Sequence, residues 1–77
     1  MSKLKRYYVA IEYSVPGEPS RAASGTYVEC LWLRAWDSED AKARAEKDIK
    51  SGGGVPGRVA IKGTKLYERI FEENRIK

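Results

Sequence analysis

Residues 26–41 read TYVECLWLRAWDSEDA, and within them the spacing of the apolar side chains changes from that of a strand to that of a helix. Up to Trp36 the run is rich in β-branched and aromatic residues, which favour strands, and both of its faces are apolar. Asp37 is a good helix N-cap, and the two acidic residues that follow shortly after it suit the positive end of a helix. The segment therefore predicts a strand over 26–36 that runs directly into a helix over about 38–50.

The predicted helix carries a narrow stripe of mostly small apolar residues, Ala41, Ala45 and Ile49, at positions i, i+4 and i+8. Small side chains let a helix lie close to a sheet. The glycine-rich run 51–57 then ends the helix, because glycine accepts the left-handed C-terminal conformation and proline cannot continue a helix. A phosphate cradle would need such glycines before a helix and not after it, so we expect 51–57 to be a flexible loop.

The sequences before residue 26 and after residue 57 predict the remaining strands. Residues 6–15 alternate between apolar and more polar positions, which is typical of a half-buried strand. The segment 14–25 contains two prolines and two glycines and is expected to be a flexible loop. Beyond the helix, 58–61 and 65–72 favour two strands joined by a tight turn, followed by a frayed tail over 73–77.

Taken together, these elements predict one α+β domain over residues 1–77. Its element order is ββαββ, an antiparallel sheet with one helix packed on one face. A chain of 77 residues has room for a single core and no more.

The residue types argue against catalysis. The chain has no histidine, which removes the commonest general base at neutral pH and the usual zinc ligand. Its single cysteine, Cys30, cannot build a thiolate metal site and lies in an apolar strand, where an inert role is the ordinary one. We therefore expect no enzymatic activity, no catalytic residue, no metal and no cofactor.

Charge and cysteine content suggest the compartment and the class of partner. A lone cysteine fits a reducing cytoplasm, and no stretch approaches the roughly 20 apolar residues of a membrane span. The formal net charge of +4 favours acidic partners such as nucleic acid or an acidic protein surface. We expect a cytoplasmic protein with a protein or nucleoprotein partner, and no membrane.

A single helix would leave the second face of the sheet uncovered, and strand parity places aromatic and basic residues together on that face. The predicted partner-binding residues are Tyr8, Trp32, Arg34, Trp36, Arg58, Lys62, Tyr67 and Arg69, with Phe71 following them.

Three interpretations of this face compete. Aromatic rings and cations together are typical of sheets that stack the bases of single-stranded nucleic acid and neutralise its phosphates. Trp, Tyr and Arg are also enriched where proteins bind proteins. Thirdly, the rings could pack against each other, against the 16–25 loop, or across a homodimer, since a sheet often needs its second face covered.

The junction Ala35-Trp36-Asp37-Ser38-Glu39-Asp40-Ala41-Lys42, followed by a closing hairpin from Arg58 to Phe71, resembles small proteins encoded by bacteriophages, in particular anti-CRISPR inhibitors. The resemblance carries over no residue by position. It implies a non-enzymatic inhibitor that docks on a nucleoprotein such as a CRISPR effector complex, in the cytoplasm of the bacterial host, and blocks nucleic-acid binding or activation. The alternative is a domain that binds nucleic acid directly through its basic aromatic sheet face.

Overall fold

Three strands and two helices make up most of the chain in the computed structural model, which describes residues 3–17 and 26–75. In chain order the elements are β1 (Lys5–Ser14), β2 (Tyr27–Ala35), α1 (Ser38–Ser51), β3 (Val55–Ile61) and α2 (Lys65–Arg75). The α+β class is confirmed, and so are the two N-terminal strands and the first helix, with shifts of one or two residues at their ends.

The sheet is antiparallel, as predicted, and β1 is its central strand in the order β2-β1-β3. On one side, Tyr8 lies opposite Trp32 of β2. On the other side, Ala10 lies opposite Ala60 of β3. Because residue parity sets the face, this register places the even-numbered residues of β1 and β2 on one face and the odd-numbered residues on the other.

Helix α1 covers the odd-numbered face and begins as the sequence predicts. The carboxylate of Asp37 accepts a hydrogen bond from the backbone N–H of Asp40 at 2.8 Å, which satisfies a donor that the first turn leaves without an intrahelical partner. The predicted stripe is buried, and its small residues bring the helix close to the sheet. The core on this side consists of Val9, Ile11, Ala35, Ala41, Ala45, Ile49 and Val59.

The predicted hairpin of strands 58–61 and 65–72 is wrong, because residues 65–75 form a helix and not a strand. Gly63, at φ +94°, turns the chain after β3. Thr64 then caps the helix, since its hydroxyl accepts a hydrogen bond from the backbone N–H of Tyr67 at 3.0 Å. The element order is therefore ββαβα, and the sheet carries two helices instead of one.

Helix α2 packs on the face that was predicted to be uncovered. Its apolar side chains recur at a spacing of four residues, which places them on one side of a helix. Ile70 is fully buried against Ala10 and Ala60, and both alanines are themselves buried. The even-numbered face is thus partly covered by the chain itself, which corrects the expectation of a single helix packed on one face.

The predicted loops also differ from the observed boundaries. Ser51 is the last residue of α1, and Val55–Ile61 is a strand, so only the middle of the predicted 51–57 loop lies between elements. Helix α2 extends into the predicted 73–77 tail as far as Arg75. Of the predicted 14–25 loop, Ser14 belongs to β1, and residues 18–25 lie outside the described residues, as do 76 and 77.

The two edges of the sheet are built differently. In β3, Pro56 has no N–H to offer, and the pairing with β1 shifts register between Ile11 and Tyr13. In β2, the pairing with β1 runs without a shift from Tyr27 to Ala35, and the strand contains neither proline nor glycine. The β3 edge is therefore interrupted, whereas the β2 edge is long and regular.

Replacing Ile70 with alanine tests whether α2 covers the second face. The truncation would leave a cavity above Ala10 and Ala60, so we expect the free energy of unfolding in urea to fall by about 2–4 kcal/mol. The matched control is Arg69→Ala on the exposed side of the same helix, which we expect to change stability by about 0.5 kcal/mol or less. Equal losses in the two variants would contradict the helical packing.

Candidate partner-binding surface

Helix α2 leaves one end of the even-numbered face open. It packs mainly over β3 and β1 around Ile70, so the end of the sheet that carries the start of β1 and the end of β2 remains accessible. At this end five aromatic and basic side chains come together, and we call them the basic aromatic patch. They are Arg6, Tyr8, Trp32, Arg34 and Lys62.

Trp32 is the centre of the patch. Its side chain stacks on Tyr8, its cross-strand neighbour, with ring centroids 4.6 Å apart and planes inclined by 25°. The guanidinium carbon of Arg6 lies 4.9 Å from the indole centroid, within cation–π distance. Even so, Trp32 is 58% exposed. The ring is therefore held in place by its neighbours while much of its surface remains in contact with water.

The patch is positively charged without local compensation. Arg6 lies directly opposite Arg34 in the β1–β2 register, an arrangement of like charges that disfavours the sheet. The ammonium of Lys62 lies 5.9 Å from the Tyr8 ring centroid. Among residues 3–17 and 26–75, no carboxylate lies within ion-pair distance of these three cations. A partner that carries negative charge would reduce this repulsion.

Tyr67 joins the patch to the covered part of the face. Its ring centroid lies 6.0 Å from that of Tyr8 and 4.9 Å from that of Phe71, so the aromatic contacts continue from the patch into helix α2. Burial is the main cause of the raised pKa of the Tyr67 phenol. Tyr67 therefore contacts the patch from helix α2, because its half-buried ring faces the sheet.

Trp36 was predicted to share this surface, and the structure places it apart from the other rings. It follows β2 and is 52% exposed, with no ring contact among the described aromatic residues. Its backbone N–H donates to the carboxylate of Asp40 at 2.9 Å. This hydrogen bond is the largest cause of the lowered pKa of Asp40, and the Arg44 guanidinium contributes further. The first turn of α1 therefore fixes the backbone that carries Trp36.

Arg58 was also predicted to be available to a partner, but it is already engaged within the chain. Its Nε and Nη2 atoms donate to the two carboxylate oxygens of Glu12 at 2.5 and 2.8 Å, and Nη2 also donates to Glu73 of α2. Hydrogen bonds to Glu12 and then to Glu73 raise the pKa of Arg58. Since Glu12 is buried, this cation compensates a charge that would otherwise be costly to bury.

Arg69 lies on the outer side of α2, where it is exposed and faces away from the sheet. Its predicted place on the sheet face followed from strand parity, which does not apply to a helical segment. Arg6, by contrast, was not among the predicted partner-binding residues. The signal for Arg6 was present, because it has the same parity as Tyr8 and lies two residues before it on β1.

Three features of the described residues bear on metal binding and reactivity. Residues 3–17 and 26–75 hold no group of three or more potential metal ligands of the His, Cys, Asp and Glu types. Burial raises the pKa of the Cys30 thiol, which favours the protonated and unreactive form. A shallow groove beside the β3 edge is lined by Ser38, Lys42, Val59, Ala60, Ile61, Thr64 and Leu66. The groove contains no paired acid and base.

Comparison with protein-family models, curated protein sequences and solved structures found no match for the chain. Within the described ranges, neither helix is long and apolar enough to cross a membrane. The geometry of the surface is therefore the basis for a functional proposal.

Replacing Arg58 with alanine tests its structural role. The variant leaves the buried Glu12 carboxylate without its cation, so we expect a loss of about 2 kcal/mol in unfolding free energy, a value that allows for the partial exposure of Arg58. In a Glu12→Gln background the same substitution should cost clearly less, because a neutral amide needs no cation. Urea unfolding of the four proteins in this double-mutant cycle gives the coupling. A coupling of zero would contradict the assigned role.

Proposed function

We propose that this protein acts by binding and not by catalysis, and that the basic aromatic patch docks on a nucleoprotein complex. The observation that carries the proposal is the exposed indole of Trp32, which contacts both Tyr8 and Arg6. Large exposed aromatic side chains beside arginines are enriched among the residues that dominate binding energy at protein interfaces.

The neighbours of Trp32 support this role because they reduce the cost of binding. Ordering a free side chain at an interface costs about 0.5–1.5 kcal/mol. Stacking on Tyr8 and contact with Arg6 restrict the indole before any partner arrives. Its exposed surface is thus available for burial at a smaller loss of conformational entropy.

The charge of the patch indicates the chemistry of the partner. Arg6, Arg34 and Lys62 favour an acidic surface, which in a nucleoprotein is supplied by acidic side chains or by the bound nucleic acid. A chain with a net charge of +4 does not imitate DNA, which is acidic. A CRISPR effector complex, the target implied by the sequence resemblance to anti-CRISPR inhibitors, is the proposed example of such a nucleoprotein, although the second strand of the closing hairpin in that resemblance is a helix in the structure.

A second candidate function is direct binding of single-stranded nucleic acid, and the stacked arrangement of the patch favours it. Base–aromatic stacking contributes about 1–3 kcal/mol per base, and the flanking cations would neutralise phosphates. Trp32 is 58% exposed, the largest exposed fraction among the described aromatic residues.

The leading proposal predicts that this protein lowers target-DNA binding by guide-RNA-loaded CRISPR effector complexes. Trp32→Ala should weaken the inhibition by about 30-fold, which corresponds to a hot-spot loss of about 2 kcal/mol. Arg34→Glu should also weaken it, because it reverses a charge in the patch. The matched control is Lys47→Glu, which changes the net charge equally on the exposed part of α1 and should leave the inhibition unchanged.

The measurement is an electrophoretic mobility-shift titration with several effector types, with circular dichroism of each variant to confirm folding. Absence of inhibition for every effector type would remove CRISPR effectors as the target. Equal weakening by Lys47→Glu and Arg34→Glu would contradict the patch, because it would mean that only net charge matters.

The second candidate predicts that single-stranded oligonucleotides quench the emission of Trp32. Trp36→Phe removes the other tryptophan, so that emission reports on the patch alone. Quenching should weaken as salt rises, because phosphate contacts release counterions. Unchanged emission with single-stranded and double-stranded oligonucleotides at both a low and a high salt concentration would rule out direct binding.

A further inference from the structure

Among residues 3–17 and 26–75, no strand pairs with the outer edge of β2, which carries a row of backbone N–H and C=O groups. The backbone N–H of Lys62 donates to the carbonyl of Tyr8 at 2.9 Å, so Tyr8 directs its backbone groups toward β3. Backbone direction alternates along an antiparallel strand, and Tyr7 and Val9 therefore direct theirs toward β2. Their partners on β2 are odd-numbered, so the even-numbered residues direct N–H and C=O outward. These residues are Val28, Cys30, Trp32 and Arg34.

Edges of this kind are usually protected in proteins by proline, bulges, charged side chains or covering elements. The β3 edge has such protection in Pro56 and the register shift. The β2 edge has neither, and α2 lies mostly over the other two strands. Its only charged residues are Glu29 and Arg34.

We propose that a second copy of this chain pairs with this edge, so that two antiparallel β2 strands join the two sheets into one six-stranded sheet. A symmetric arrangement centred on Leu31 uses every outward backbone group of the row. It pairs Cys30 with Trp32 of the second copy and Val28 with Arg34 of the second copy, and each such pair exchanges two hydrogen bonds.

The side chains of β2 fit this self-pairing. On the face of α1, Leu31 lies opposite its own counterpart, and Glu29 lies opposite Leu33 of the second copy. On the other face, the aliphatic stem of Arg34 lies beside Val28 of the second copy. No two like charges are directly opposite, which is the arrangement that would disfavour the pairing. A second copy thus offers an edge of the same length with no like charges directly opposite each other.

The helices leave room for this arrangement. Helix α1 packs against all three strands, of which β1 is the central one. The two β1 strands of the joined sheet would be three strand spacings apart, or about 14 Å. Packed helices need an interaxial distance of about 8–10 Å, so the two α1 helices do not collide.

The pairing also goes beyond the proposed function, because it brings two basic aromatic patches together on one face. Trp32 and Trp32 of the second copy become diagonal neighbours, at a Cα separation of about 7–8 Å, within reach of aromatic side chains. An interface made mainly of one strand edge is small, so we expect a concentration-dependent dimer and not an obligate one.

Two measurements on the unmodified chain test the pairing. Sedimentation velocity from low to high micromolar concentration should show a shift from the 8.7 kDa chain toward twice that mass. Hydrogen exchange over the same range should show protection of the Val28, Cys30 and Trp32 amides only at high concentration. The Leu31 and Leu33 amides, which bond to β1, should be protected at both concentrations.

A matched pair of variants identifies the edge. Cys30→Pro removes one outward N–H that the monomer does not use, and proline is tolerated at such edge positions. We expect Cys30→Pro to remain monomeric and Cys30→Val to dimerise like the unmodified chain. Circular dichroism checks that each variant is folded.

A chain that stays monomeric at the highest concentration, with its outward amides exchanging freely, would overturn the proposal. A dimer whose outward amides remain unprotected would overturn it as well, because the copies would then meet elsewhere. If Cys30→Pro fails to fold, the exchange pattern of the unmodified chain still decides the question. None of these outcomes depends on whether the patch binds a nucleoprotein.

Discussion

The contact of Ile70 with Ala10 and Ala60 is the interaction on which the arrangement of this protein depends. Two alanines side by side on β1 and β3 leave space for a large aliphatic side chain, and Ile70 fills it with no exposure to water. Farther along α2, Glu73 forms an ion pair with Arg58, which also compensates the negative charge of the buried Glu12. An apolar contact and an ionic one thus fix the helix at two points and determine which end of the face stays open.

Strands β1 and β2 and helix α1 were predictable because each has a clear local signal: alternation in β1, β-branched and aromatic residues in β2, and a capped stripe of small residues in α1. The alternation in 6–15 and the change of spacing at Asp37 both result from local chemistry, and the observed elements follow them closely. Helix α2 was missed because tyrosine, isoleucine and phenylalanine favour strands, and because Gly63 is as compatible with a hairpin turn as with the start of a helix. The four-residue spacing of Leu66 and Ile70 was the signal that the strand interpretation overlooked.

Four residues of the basic aromatic patch were among the predicted partner-binding residues, and Arg6 was not. Tyr8, Trp32 and Arg34 follow from strand parity, and the structure brings them together with Lys62. Arg58 could not be excluded from the sequence, because its partner Glu12 is distant in the chain and only the tertiary fold brings them into contact. Parity along a strand predicts a face, but it does not predict which charges on that face are already paired.

The difference between the two sheet edges has a consequence for how far self-association could extend. Along β3, Pro56 and the shifted register interrupt the backbone row, and the N-terminal turns of both helices border what remains of it. A sheet that can pair only along its β2 edge stops growing once a dimer has formed. Both outer edges of that dimer are the interrupted β3 edges. Such a molecule would be protected by its own geometry from open-ended polymerisation into fibres.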